Sequence, residues 1–457
     1  MSNAGHGPRG GTERVTADER WAAGRALRKS VPRASHGEFT PAARRPDPVA
    51  QLEAQATDRL PDLLPVRYGR MAMSPFAFLR GSATVMSTDL AGTPATGLSV
   101  QLCGDAHLAN FGVFASPERT LVFDVNDFDE TLPGPWEWDV KRLAASFVVA
   151  GRVASLTGAQ CRRIAVAATR MYRQRITAYA GMRHLDVWYD HIGVSEVLSA
   201  LTAAKQRRGV RRIAAKARGK DHLRAYRKLT TAIDGQVRIA DDPPIVDHVD
   251  VPDDVLHQSR AQLLRSLPHD RRHLLARYDF VDAARKVVGV GSVGTRCYIV
   301  LLVGRDDDDP PFLQVKQAQH SVLEPHLRRS KYANQGQRVV AGQQLMQSAS
   351  DMFLGWTRAT DSDFYWRQLW DMKGSVTLEG ASTEDTELYA TVCGAALARA
   401  HARSGDPIAI AGYLGNSGVF EEAVADFATA YADQNQRDYA ALLDAIRVGA
   451  VPASHAV

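Results

Sequence analysis

The hexapeptide GVGSVG at residues 289–294 constrains this chain more than any other stretch. Glycines spaced G-x-G-x-x-G let backbone amides approach a ligand because no side chain intervenes. The flanks decide what fold surrounds them. In a dinucleotide-binding fold the third glycine opens a helix. Here the continuation is TRCYIVLLVG, β-branched and aromatic, which predicts a strand. The whole segment from YDFVDAARKVV to FLQVKQA reads as strand, glycine turn, strand, acidic turn, strand. The acidic tract Asp306 to Asp309 is expected to be a solvated hairpin tip, with metal binding as the alternative. Lys316 falls inside the apolar strand FLQVKQA, where a lysine needs a partner. Glu324 is the nearest acid in the following segment, with Pro325 beside it.

A second cluster lies about 180 residues earlier, in CGDAHLANFG (103–112) and FDVNDFDE (123–130). GLSVQLC predicts a strand running into Gly104, and NFGVF with TLVFDV predicts a hairpin. Asp105 and Asn110 have the D-x-x-x-x-N spacing of a phosphotransfer loop. There the Asp orients or deprotonates an acceptor hydroxyl and the Asn holds magnesium. A second metal-binding Asp is expected after the hairpin. Asp124, closing the TLVFD strand, is preferred for that role over Asp127; one of Asp127 and Asp129 is the alternative, the other capping the next segment. His107 is expected to be a hydrogen-bonded loop residue supporting the site. A glycine loop between strands, with a lysine on the next strand, covers the nucleotide phosphates in such enzymes. Gly289, Gly291, Ser292, Gly294 and Lys316, with Glu324 as the partner of Lys316, are therefore the candidate nucleotide residues. ATP and magnesium are the expected cofactors.

In ordinary kinases the glycine loop and lysine come before the catalytic loop; here they come after it. A circular permutation explains this, with the chain cut between ALARAHARSG and the catalytic strand and the original ends joined through residues 235 to 280. The expected fold is thus α+β: a kinase-like two-lobe fold in permuted order, the small β-rich lobe following the first part of a large helical lobe. At 457 residues the chain is too long for one ordinary core. It divides into an arm over 1–55, partly disordered and then a short helix around ERWAAGRALRKS. A helical-lobe part over 56–240 carries the catalytic and metal loops. A β-rich nucleotide part spans 241–380, and helices over 381–457 complete the helical lobe. A helix is expected to begin at Ser74–Pro75, a buried one at PWEWDV, and another to end at Gly405 as its C-cap. Trp136 and Trp138 are expected in the core.

Composition narrows the rest. No apolar run reaches the roughly 18 residues of a membrane helix, and MSNAGHGPRGGTERV lacks a signal-peptide core, so no membrane partner and a cytoplasmic location are expected. Four separated cysteines predict reduced thiols rather than a zinc cage or disulfides. A net charge of +5 does not call for nucleic acid. Residues 205–228 nevertheless hold eleven Lys or Arg against one Asp, either a solvated helical face or a surface for a polyanion.

The stretches RYGRMAMSPFAFLRG, QLCGDAHLANFGVF, FDVNDFDETLPGPWEWDVKRLAAS, GVGSVGTRCY, VKQA, FYWRQLWDMKGS and ALARAHARSGD resemble the bacterial family called domain of unknown function 2252, over roughly residues 40 to 440. More distantly, Gly104-Asp105, Asn110 and Phe123-Asp124 look like the corresponding motifs of the aminoglycoside phosphotransferase and choline kinase group. That resemblance implies that Asp139, in EWDVKRLA, anchors the catalytic loop from a helix. Cys103 stands where that group has a His, and His107 lies inside the loop; both departures bear on the substrate. The expectation is an ATP- and magnesium-dependent phosphotransferase acting on a hydroxyl of a small molecule or protein. A metal-dependent phosphoesterase, a nucleotide-binding pseudokinase and a nucleotidyl transferase are the alternatives. Arg80 is open between anchoring a carboxylate and snorkelling. Arg367, Asp371 and Lys373 are open between a hinge near the ligand and surface pairing.

Overall fold

The run CYIVLLV forms the strand Cys297–Val303 at the centre of a six-stranded antiparallel sheet. Both its faces are buried, which is why it reads as continuous rather than alternating. Val300 and Leu302 join Leu313, Val315, Phe364 and Trp366 in a core on one face. Ile299 and Leu301 join Phe312, Ala284 and Leu369 on the other. The strand order is Gly355–Ala359, Ser362–Gln368, Phe312–Ala318, Cys297–Val303, Asp279–Lys286 and Val246–Asp247. The glycine loop thus links neighbouring antiparallel strands, and the 304–311 turn links the next pair.

This computed structural model describes residues 15–219, 222–233, 236–249, 252–306, 309–369, 372–375, 378 and 380–454. The opening of the N-terminal arm and Asp307, Asp308 and Asp371 lie outside the described residues. The chain is mixed α+β, as its sequence pattern predicts. In the acidic turn the Asp309 amide donates to Asp306 O at 3.0 Å.

The helical part is built around Trp136–Val153, which is buried along nearly its whole length. Gly158–Ala180, Thr383–Ser404 and Val419–Arg447 pack about it in one large core. Ser74 caps the helix Pro75–Gly81 by accepting the Ala77 amide at 3.1 Å. Helix Ala17–Ala26 starts with a capping box between Thr16 and Glu19 and is tied to the C-terminal helices by Arg20 on Asp406. Gly405 follows Thr383–Ser404 as expected, but for another reason. Its backbone is extended rather than left-handed, with φ of −122°. A Cβ there would lie 2.5 Å from Val100 Cγ1, so glycine is required by close approach to the strand Ser99–Leu102. Helix Ala204–Arg218 carries the first part of the basic stretch on an exposed face and buries Ala214 and Ala217. Among the described residues no helix is long and apolar enough to cross a membrane.

Two small sheets set up the site. Phe111–Ala115 and Leu121–Val125 form the expected hairpin, with Gly374–Ser375 added at its edge. Ser99–Leu102 pairs with Leu132–Pro135. The loop 103–110 therefore leaves one sheet and enters the other, and 126–131 makes the reverse passage. Shared sheets hold the two polar loops side by side.

Candidate active site

The loop from Cys103 is pinned from the helix Trp136–Val153. The Asp139 carboxylate accepts the Cys103 amide at 2.8 Å and the Gly104 amide at 3.1 Å. Gly104 needs glycine, since φ is +83° and a Cβ would meet Glu130 O at 2.3 Å. One turn after Asp139, Arg142 pairs with Asp105 and donates to Leu79 O at 3.0 Å. Burial raises the Asp105 carboxyl above its usual range, against the pull of Arg142 and then Arg80. His107 Nε2 lies 3.6 Å from Asp105 Oδ2. Burial, then Arg80 and Arg142, push its imidazole well below its usual pKa, so it is neutral. Asn110 donates its amide nitrogen to Asp105 O at 2.8 Å, so Oδ1 is the atom that could hold a ligand.

The second loop departs from expectation. Asp124 is fully buried and is held by Arg399 Nη2 at 2.7 and 2.6 Å, by the Ser348 amide at 2.9 Å and by Ser348 Oγ at 3.0 Å. An acid so fully paired joins the hairpin to the helices and is not offered to a metal. Asp127 and Asp129, in contrast, line a cleft together with Asp105 and Asn110, while Phe128 between them is buried in the core.

Lys316 is buried in its strand and reaches Asp129 Oδ2 at 2.7 Å, with Asp127 Oδ2 at 4.0 Å. Tyr365, opposite Lys316 across the strand pair, donates to Asp129 Oδ1 at 2.6 Å. Burial alone would raise Asp129, but Lys316 and Tyr365 outweigh it and hold the carboxyl down to about 2. Burial and then the Asp129 charge raise Asp127. Glu324 is not the partner of Lys316. The segment after the strand turns instead of entering a helix, and Glu324 accepts from His320 Nδ1 at 2.8 Å. The first helix beyond it, Gln335–Met346, presents Arg338 to the backbone, Nη2 reaching Asp129 O at 2.8 Å.

The glycine loop closes over these acids. Ser292 Oγ donates to Asp129 Oδ2 at 3.2 Å. Gly289 and Gly294 have φ of +64° and +87°, conformations that other residues rarely adopt. The loop rests on the N-terminal helical segment, where Arg59 Nη1 donates to Val293 O at 2.5 Å and the Leu60 amide to Gly294 O at 2.7 Å. Gly289, Gly291 and Ser292 line the same cleft as Asp105, Asn110 and Asp127. Arg367 donates to Asn126 O at 3.2 Å, and Lys373, whose amine burial lowers to about 7, lines a separate small pocket with it. Arg142 and Tyr365 had no assigned role in the sequence, and Asp129 was open between binding metal in place of Asp124 and capping the next segment. For Arg142 the legible signal was its place three residues after Asp139, on the same face of a helix.

Among the described residues no group of three or more His, Cys, Asp and Glu side chains forms a preformed metal cage. No curated protein and no solved structure matches the chain. One family profile matches residues 59–445, most of the chain. The chain belongs to that family, described as an uncharacterized protein conserved in bacteria (DUF2252).

Proposed function

We propose that this protein is a kinase-like, ATP- and magnesium-dependent phosphotransferase with its lobes in circularly permuted order, acting on a hydroxyl-bearing acceptor. One observation carries the reading: Asp105, Asn110, Asp127, Asp129 and the 289–294 loop converge on one cleft, with Lys316 on Asp129. Nothing in the local sequence requires residues as distant as 129 and 316 to meet. The permutation is supported by the contact between Ser404 and Gln101, whose amide donates to Ser404 Oγ at 3.0 Å. The end of the helix Thr383–Ser404 lies against the start of the strand it would enter in the unpermuted order.

The donor set suits magnesium and a nucleotide. Asn110 Oδ1 and the Asp127 carboxylate are hard oxygen donors, and such a site keeps water and phosphate in the rest of its shell. The left-handed glycines would let backbone amides approach the phosphates, and Lys316 would supply a cation on Asp129 beside them. Bound magnesium-ATP would supply the phosphoryl group. Asp105, held by Arg142 and raised by burial, would orient the acceptor hydroxyl and take its proton. Asp139 fixes the loop that carries Asp105. A phosphoesterase reading leaves Lys316 and the glycine loop without a role.

Thermal unfolding with and without magnesium-ATP tests the reading. A ligand at 100 times its Kd stabilises the native state by about 2.7 kcal/mol. Wild type should show a magnesium-dependent rise in Tm that Asp127→Ala loses. A folded wild type that responds to no nucleotide refutes the reading. With an acceptor in hand, the mass it gains separates phosphoryl from nucleotidyl transfer.

A further inference from the structure

The cleft has a second wall that the nucleotide reading leaves without work. It comes from the N-terminal helical segment and contains Gln55, Arg59 and Arg80. Arg80 ends the helix Pro75–Gly81 and makes no hydrogen bond or ion pair among the described residues; its Nε is buried without a partner. Arg59 is only 7% exposed, and its Nε is likewise buried and unpartnered. Gln55 Oε1 accepts from Arg67 Nη2 at 2.8 Å, which leaves its NH2 group able to donate. The glycine loop packs closely on this wall: a Cβ on Gly291 would stand 3.1 Å from Arg80 O.

A guanidinium with a buried, unpartnered N–H is costly unless a counter-charge arrives. The cations that have partners in the cleft are committed, Lys316 to Asp129 and Arg142 to Asp105. Arg80 feels Asp105 and Asp127 through space, and its charge helps keep His107 neutral. Arg80 and Asp105 line the same cleft, and on the phosphotransferase reading the acceptor hydroxyl arrives at Asp105. Glu130 is the opposing acid on this side, and burial raises its carboxyl to about 7, which weakens it as a counter-ion.

We propose that Arg80, with Arg59 and Gln55, forms a receptor for an anionic group, a phosphate or carboxylate, carried by the acceptor itself. The acceptor is then a hydroxy acid or a phosphorylated hydroxyl compound rather than a neutral alcohol. The acceptor role rests on the phosphotransferase reading; the anion receptor does not.

Inorganic phosphate and malonate are the probes, titrated by calorimetry and thermal shift into protein saturated with magnesium and a non-hydrolysable ATP analogue, and into protein without nucleotide. Wild type should bind at least one probe in the presence of the analogue. Arg80→Gln should weaken that binding at least tenfold while keeping the analogue's own Tm shift. Arg80→Lys, which keeps charge but loses the planar fork, should fall between. Because Arg80 has no partner to lose, both variants should melt near wild type; if Arg80→Gln does not fold, Arg80→Lys and Arg59→Gln carry the comparison. Probe binding unchanged in the variants overturns the receptor. Loss of the analogue's shift instead assigns Arg80 to the nucleotide and overturns the acceptor role. If the analogue never binds, the phosphotransferase reading fails, and the titration without nucleotide still decides whether the arginines form an anion site.

Discussion

Replacing Asp124 and replacing Asp127 should have opposite consequences, although the sequence offers both as candidates for the same metal-binding role. Asp124 has no exposed surface and holds Arg399, itself fully buried. Arg399 Nε and Nη1 already lack partners, and Nη2 retains only Met346 O at 3.0 Å once Asp124 is gone. Asp124→Ala thus leaves a buried guanidinium without a counter-charge, a loss of about 3–5 kcal/mol. The Ser348 amide, 2.9 Å from the carboxylate, loses its acceptor and adds about 1–3 kcal/mol. Against a typical stability of roughly 5–15 kcal/mol this is a large fraction. We expect Tm to fall by on the order of 10 °C. The magnesium-ATP shift should survive in whatever fraction remains folded. Asp127→Ala removes a cleft-lining acid with a raised pKa and should melt within a few degrees of wild type while losing the nucleotide shift. Scanning fluorimetry of both variants, each with and without magnesium-ATP, checks this. A double change, Asp124→Leu with Arg399→Met, should recover much of the lost stability, because removing both charges removes the uncompensated one. If Asp124→Ala melts like wild type and loses the nucleotide shift, while Asp127→Ala keeps it, the assignment drawn from burial is wrong.

Other outcomes follow from the same geometry. Asp105→Asn should lower turnover roughly 10²- to 10⁴-fold and leave the magnesium-ATP shift in place; full activity in the variant would remove Asp105 as the base. Gly294→Ala forces a side chain into φ of +87° with Arg59 Cβ 3.1 Å away, and should cost on the order of 1–3 kcal/mol and weaken nucleotide binding, read by urea midpoint and thermal shift. Glu130 has its carboxyl raised by burial from 4.5 to about 7, so the folded state binds its proton more tightly than the unfolded state. Its contribution to stability is fully present below about 4.5 and is lost as pH rises towards about 7. Glu130→Gln should therefore gain on wild type as pH rises between those limits, by on the order of 3 kcal/mol once pH is above both; equal pH profiles would place the carboxyl in a wetter setting.

Periodicity and punctuation determined much of this protein locally. The helix from Trp136, the 111–125 hairpin, the strands around the glycine loop and the Ser74 cap follow from apolar spacing and from which residues tolerate turns and first turns. Those are short-range effects of sterics and backbone hydrogen bonding, and a single sequence carries them. The Asp105 and Asn110 pair was legible for the same reason, because its spacing lies within one loop. The fates of Asp124, Asp127 and Asp129 were not, since three acids within six residues look alike until burial and long-range partners separate them. Arg399, 275 positions away, takes the first. Lys316, 187 positions away, takes the last. Glu324 shows the converse: it lies nearer to Lys316 in sequence than Asp129 does, yet a turn carries it onto His320. Ion pairing follows distance in space and the dielectric around each charge, and only the packed chain sets both.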